Sequence, residues 1–144
     1  MTATIRAHAE MTIAPEATVP HYAISRDHAD ETRRGREFAV YLVPSRTSDA
    51  VYRVVHNARL RVLYCDCTAA QFGNVCGHLQ AVLFHRHYLA HYRLWHAATL
   101  PELQAKEADY RAIERGRHAK TRGWRAEMQA IGELVRERTI GEAA

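Results

Sequence analysis

Three cysteines and one histidine lie close together in the middle of the chain, in a Cys-X-Cys pair and a Cys-X-His pair separated by eight residues. Zinc in structural sites takes four thiolate or imidazole ligands at the corners of a tetrahedron. Alternate residues of a strand point to the same face, so the first two cysteines, at a strand end, can bind one ion together. Gly77 allows a sharp turn before the histidine. The spacing therefore predicts one structural zinc ion bound by Cys65, Cys67, Cys76 and His78.

Other interpretations of the cluster remain open at this point. The three cysteines could be buried free thiols beside a histidine that caps a helix. A disulfide between the first two would strain the bridge geometry. His85 is an alternative fourth ligand, but it follows His78 by two helical turns, or about 10.8 Å. His87 and His91 have the spacing for a second metal, although this spacing is more typical of an ordinary half-buried helix face.

The segments before the cluster predict a small antiparallel sheet. Residues 38–43 form a short apolar run that ends at a proline, and residues 51–56 form a second run rich in valine. In residues 59–64, Leu60, Val62 and Tyr64 alternate with Arg59, Arg61 and Leu63, which is the two-residue period of a half-buried strand. Asn57 and Ala58 predict a tight turn between the last two strands. This hairpin leads directly into the first cysteine.

Helices are predicted before the sheet and after the cluster. Ser25 is the predicted N-cap of the first helix, and Gly35 the residue that ends it. The helix after the cluster is apolar on more than one side. Thr99 and Glu102 have the spacing of a capping box at the start of the next helix. The predicted ranges are 26–35, 78–97, 100–118 and 124–139.

Together these elements predict an α+β fold. It consists of a small antiparallel sheet, a zinc site leading into a helix, and a C-terminal helical hairpin. The predicted organisation is an irregular N-terminal arm over residues 1–24, a zinc-finger domain over 25–98 with its core at 50–90, and the helical hairpin over 99–144.

The order of hairpin, Cys-X-Cys, loop, Cys-X-His and apolar helix resembles the SWIM-type zinc finger. The resemblance covers residues 50–90, and it implies the same four metal ligands. Many members of that family have proline after the Cys-X-Cys pair and lysine inside the Cys-X-His pair, where this chain has Thr68 and Gly77. Such modules accompany chromatin-remodelling ATPases, transposases, ubiquitin ligases and recombination accessory proteins. The resemblance implies a module that binds DNA or protein.

The composition is that of a folded domain. The chain has 144 residues, 47% hydrophobic and 25% charged, with a formal net charge of +4. Its longest apolar run is six residues, against about 20 needed to cross a bilayer. The first twenty residues have no apolar segment typical of a secretory signal. We therefore expect a soluble, cytoplasmic protein without a membrane partner.

Basic residues form two groups. The first group surrounds the predicted break between the last two helices and comprises Arg111, Arg115, Arg117, Lys120, Arg122 and Arg125. Its functional interpretation is a surface that contacts nucleic-acid phosphates. The alternative is a solvated, partly ion-paired helix face. The second group could line the sheet, or could be the exposed half of an amphipathic strand; it comprises Arg33, Arg34, Arg36, Arg53, Arg59 and Arg61.

Two functions are expected from these features. The first is a zinc-stabilised module that binds nucleic acid, most simply DNA, as an accessory factor in recombination, replication or transposition. The alternative is a protein–protein adaptor that uses the zinc finger and the C-terminal helices without touching nucleic acid. An enzyme is not expected, because the sequence contains no phosphate-binding loop, no nucleophile-elbow motif and no paired carboxylates. No small-molecule substrate is expected either.

Overall fold

The strands in the described part of the chain form one antiparallel sheet. A computed structural model describes residues 4–6, 19–73, 76–114 and 122–143, with side chains for 19–73, 76–112 and 124–141. The sheet order is β1-β5-β4-β3-β2. The strands are β1 (Thr4–Arg6), β2 (Ser25–Arg26), β3 (Phe38–Pro44), β4 (Val51–Asn57) and β5 (Val62–Cys65). The three central strands were predicted, whereas the edge strands are too short to show a sequence period, so the prediction of three strands was incomplete.

The β4–β5 connection differs from the tight turn predicted at Asn57 and Ala58. Asn57 is the last residue of β4 and pairs with Val62, so the turn spans residues 58–61 and β5 begins three residues later than expected. The Asn57 side-chain oxygen accepts hydrogen bonds from the backbone N–H groups of Arg59 and Leu60, both at 3.1 Å. An asparagine that binds the backbone ahead of it favours such a longer turn.

Five α-helices and a short 3-10 helix (His21–Ala23) occur in the described part of the chain. The α-helices are α1 (His28–Arg34), α2 (Thr68–Gln71), α3 (Gly77–Trp95), α4 (Leu100–Glu114) and α5 (Arg122–Ala143). The predicted N-cap of α1 was wrong: Ser25 lies in β2, and Asp27 caps the helix by accepting from the Asp30 N–H at 3.0 Å. The capping box of α4 is confirmed, since Thr99 and Glu102 exchange backbone-to-side-chain hydrogen bonds.

The chain divides into two compact units, and the division falls between His85 and Arg86, inside α3. The domain boundaries expected from the sequence, at 24/25 and 98/99, stay predictions. Within residues 1–24, the structure describes β1 and the segment from Val19 onward. Among the described residues, no helix has both the length and the apolar character needed to cross a lipid bilayer.

Each unit has its own apolar core. In the first unit, valine and leucine side chains of the sheet and of the first turns of α3 are fully buried; they are Val40, Val43, Val54, Leu63, Leu79, Val82 and Leu83. The strand register places Val40 on the opposite face of the sheet from Val43, Val54 and Leu63, so both faces of the central strands are covered. In the second unit, α4 and α5 contribute the buried cluster Leu103, Tyr110, Ile131 and Leu134. Trp95, Trp124 and Met128 pack against that cluster.

Candidate metal centre

The four predicted ligands come together at one end of the sheet. Cys65 is the last residue of β5, Cys67 is the N-cap of α2, Cys76 immediately precedes α3, and His78 is its second residue. Their sulfur and nitrogen ligand atoms all lie within 4.8 Å of one another. The three cysteines are buried free thiols and the histidine is half-buried. The structure therefore contains a Cys3His cluster that is compatible with a metal site.

The spacing of these atoms fits a tetrahedral ion. Zn–S bonds of about 2.3 Å place neighbouring corners of a tetrahedron about 3.8 Å apart. In the structure, Cys65 Sγ lies 3.9 Å from His78 Nδ1, and the widest separation in the set stays below 4.8 Å. Ligand atoms would move by about 1 Å or less to close on the ion, which rotation of short side chains can supply.

Backbone groups and the neighbouring thiols set the charge of the sulfurs. Ala70 N–H points to Cys67 Sγ and Leu79 N–H to Cys76 Sγ, each at 3.4 Å. The hydrogen bond from Cys65 lowers the pKa of the Cys76 thiol to about 4, against the effect of burial. The same contact, followed by burial, raises the pKa of Cys65, and burial raises the pKa of Cys67. Three neighbouring thiolates would need a bound cation to balance their charge.

Asp66, between the first two cysteines, holds the Cys-X-Cys segment against β4. Its carboxylate accepts the Arg53 backbone N–H at 3.0 Å, and its own N–H donates to the Arg53 carbonyl at 3.3 Å. This pair continues the β4–β5 ladder one step beyond the Val54–Cys65 pair. This role cannot be predicted from the sequence, because an acidic residue between two cysteines has no spacing signal of its own.

Tyr52 of β4 packs against the histidine ligand. The two ring centroids are 4.4 Å apart, with an angle of 36° between the ring planes. A ring held in this way has fewer orientations available, so the contact positions the imidazole. The predicted strand placed Tyr52 on one face of the sheet but could not show what that face contacts.

A buried charge network anchors the same part of the sheet. Asp30 of α1 is 3% exposed and accepts hydrogen bonds from Arg33, Arg34 and Arg53. The bond from Arg33, and then those from the other two, hold the pKa of this carboxyl far below its usual value. Since Arg53 also pairs with Asp66 through its backbone, the network connects α1 with the Cys-X-Cys segment.

Glu31 makes a second connection between α1 and the sheet. Its carboxylate accepts the Val40 N–H of β3 at 2.7 Å and binds the Arg26 guanidinium. Burial raises the pKa of Glu31, but the bonds from Arg26 and Val40 outweigh it and lower the pKa overall. Both partners of Glu31 lie outside α1, so the spacing of residues within the helix does not predict this connection.

A cavity of about 420 Å³ opens beside the cluster. Cys67, Cys76 and His78 contribute to its wall, together with hydroxyl groups of the β3–β4 loop and of α2.

The other candidate ligands lie elsewhere. His85 is outside the cluster, and its ring lies 5.9 Å from the rings of both His21 and Tyr41. His91 lies 3.3 Å from a carboxylate oxygen of Glu127. Arg59 and Arg61 of the second basic group precede β5 and lie at its opposite end from Cys65. In the part of the chain with described side chains, one group of three or more metal-ligating residues is found.

The structure describes only part of the first basic group. Arg111 is exposed on α4 and lies 3.3 Å from Glu107, one helical turn away, while Arg125 is half-buried on α5. Arg122 begins α5, but its side chain lies outside the described residues, as do Arg115, Arg117 and Lys120. Contact of the first basic group with nucleic acid stays a prediction.

Comparison of the chain with protein-family models, with curated proteins and with solved structures found no match.

Proposed function

We propose that the protein is a structural zinc-binding module of the SWIM type that binds nucleic acid, most simply DNA. The observation that supports the metal is the convergence of three buried thiols and one imidazole within 4.8 Å. Sulfur-rich tetrahedral sets of this kind are typical of zinc. Zinc would be held by Cys65, Cys67, Cys76 and His78.

The proposed metal role is structural. Four protein atoms would complete a tetrahedron around zinc, which leaves no coordination position for water or a substrate. The ligands come from the end of β5, the N-cap of α2 and the start of α3, so one ion would connect three elements. Zinc binding is then part of the folding free energy of residues 50–90. We propose no catalytic role for the centre.

Nucleic-acid binding is proposed from charge and from the resemblance to SWIM-type modules. The chain has a formal net charge of +4, and eighteen of its twenty basic residues are arginines. The arginine guanidinium presents a planar set of donors that matches phosphate oxygens. The role that follows is an accessory factor in recombination, replication or transposition, working inside the cell.

A protein–protein adaptor is the second candidate. The observation that favours it is the set of large apolar side chains exposed in both units, among them Phe72, Leu94 and Ile140. An adaptor would bind through apolar contact and would respond little to salt, whereas phosphate binding weakens steeply as salt rises.

The test combines metal analysis with a binding titration. The purified full chain is expected to contain one zinc ion and to bind a DNA duplex of about 20 base pairs with an affinity that falls linearly in log–log form with salt. Removing zinc is expected to abolish that binding. Zinc-loaded protein that fails to bind DNA at low salt would refute the nucleic-acid role, and protein without zinc would refute the metal role.

A further inference from the structure

The arginines of the second basic group fall into two sets. Arg33, Arg34 and Arg53 bind the buried Asp30 carboxylate, so each of their guanidinium groups already has an anionic partner inside the first unit. The other three are exposed, and within the described part of the chain their guanidinium groups make no hydrogen bond or ion pair; they are Arg36, Arg59 and Arg61. The sequence could not make this division, because it depends on which arginines reach Asp30.

The three arginines without such a partner in the described structure lie at the end of the sheet opposite the Cys3His cluster. Arg59 and Arg61 belong to the turn between β4 and β5, whereas Cys65 ends β5. Arg36 lies near the same turn, because the carbonyl of the next residue, Glu37, accepts the Ala58 N–H at 2.7 Å. Arg36, Arg59 and Arg61 therefore place three positive charges at this end of the sheet.

The turn holds a fixed shape. Asn57 is 7% exposed, and its side-chain oxygen accepts from the N–H groups of Arg59 and Leu60. Arg61 has a φ of 56°, in the left-handed region that residues other than glycine rarely adopt. A backbone conformation held by a buried anchor fixes the positions from which the side chains of the turn extend. Leu60, between the two arginines, is 60% exposed.

We propose that the β4–β5 turn, residues 58–61, is a contact surface for duplex DNA, with Arg59 and Arg61 on phosphates and Leu60 directed into the groove between them. This inference rests on the proposed nucleic-acid function. Phosphates border a groove on both sides, which matches the order arginine, leucine, arginine along the turn. The major groove is about 12 Å wide and admits a two-stranded ribbon. Apolar side chains are also used against base edges and steps in DNA complexes.

The test is fluorescence anisotropy of a labelled duplex of about 20 base pairs with the zinc-loaded full chain, repeated over a range of salt. Each phosphate contact contributes about 0.9 to the slope of log affinity against log salt, so the double substitution Arg59→Ala, Arg61→Ala is expected to reduce the slope by about 2. The charge-preserving pair Arg59→Lys, Arg61→Lys should keep that slope. Leu60→Ala should weaken DNA binding but leave the slope of log affinity against log salt unchanged.

The matched control is Arg93→Ala. Arg93 is exposed on α3 and, in the described structure, also has no ion pair, but it lies far along the chain from the turn. This variant should bind as the unchanged protein does. Zinc content and circular dichroism of every variant show whether it has folded.

Three other outcomes have distinct meanings. Duplex binding that the double alanine variant retains with an unchanged slope would overturn this surface and leave the nucleic-acid function standing. Failure of the unchanged zinc-loaded protein to bind any duplex would overturn both. Binding of polyglutamate but not of DNA, with the same dependence on Arg59 and Arg61, would assign the turn to an acidic protein partner and overturn the proposal.

Discussion

The two units of the chain use different interactions to fix their structure. The first unit, which ends at His85, combines an apolar core of valines and leucines with a buried carboxylate that binds three arginines and with the Cys3His cluster. Residues from Arg86 onward use helices around Leu103, Ile131 and Leu134, with glutamates that accept hydrogen bonds from aromatic side chains. Both units therefore have an apolar core, and the first unit adds a buried charge network and a proposed metal site to it.

Removal of zinc should separate the two units most clearly. Structural zinc contributes about 10–16 kcal/mol in small fingers, while whole domains have about 5–15 kcal/mol of net stability. With a chelator, amide NMR signals of residues 50–85 should lose their dispersion while those of α4 and α5 keep theirs. Equal loss of signals in both units would show that they fold as one, and unchanged signals in both would contradict the metal dependence.

The same substitution at two histidines of α3 should have opposite results. His78→Asn removes a proposed ligand and should weaken zinc binding by at least about 100-fold. This loss is larger than that expected from removing a group that only contacts a ligand, which is about 10- to 100-fold. His85→Asn, outside the cluster, should leave zinc affinity unchanged. Competition with a chromophoric chelator measures both affinities. A loss confined to His85→Asn would make that residue the fourth ligand.

Two isoleucines of α5 provide the reciprocal experiment in the second unit. Ile131 is fully buried, and Ile131→Ala should lower the free energy of unfolding of this unit by about 2–5 kcal/mol. Ile140 is 70% exposed, and Ile140→Ala should change it by about 0.5 kcal/mol or less. Denaturant titration followed by tryptophan fluorescence reports on this unit. Zinc affinity should not change in either variant.

High pH should weaken the second unit through Tyr88. Burial, and then its hydrogen bond to Glu133, raise the pKa of this hydroxyl above the usual 10.0. The folded state therefore prefers neutral tyrosine: the stabilisation is complete below the pKa of the unfolded chain and is lost as pH rises towards the folded pKa. The free energy of unfolding should fall above pH 10, and Tyr88→Phe should make that fall shallower. An equal slope in both proteins would exclude Tyr88 as its source.

Asp66 offers the smallest effect, in the first unit. Asp66→Ala removes the acceptor for the Arg53 N–H but no ligand, so zinc affinity should fall by about tenfold. Asp49→Ala, at an exposed position of the β3–β4 loop, is the control and should have no effect. If the two variants have the same affinity, the position of the Cys-X-Cys segment does not depend on Asp66.

The sequence predicted what depends on short spacing and missed what depends on distant contacts. The ligand spacing, the central strands and the capping box at Thr99 are local patterns, and the structure places each of them close to where it was predicted. The role of Asp66 and the stacking of Tyr52 on His78 require pairing between β4 and segments that follow it by more than ten residues. No local pattern contains that information.

Competition between neighbouring residues explains the local errors. Ser25 and Asp27 are both good N-caps, and the pairing of Ser25 with Leu42 in the sheet leaves Asp27 to cap α1. At the hairpin, the side chain of Asn57 binds two successive N–H groups and lengthens the turn. The cap of α1 and the length of the β4–β5 turn each depend on a specific contact, and residue propensities for caps and turns do not include such contacts.

The most direct test of the account is titration of the metal-free full chain with cobalt(II), which replaces zinc and reports its own geometry by absorption. The account predicts that one equivalent of cobalt binds and produces the visible bands of a tetrahedral site together with thiolate-to-cobalt charge transfer. These bands should be lost in His78→Asn. One equivalent of zinc should displace the cobalt and leave the unchanged protein colourless. Absence of tetrahedral bands, or the same spectrum after substitution of His78, would contradict a Cys3His metal centre.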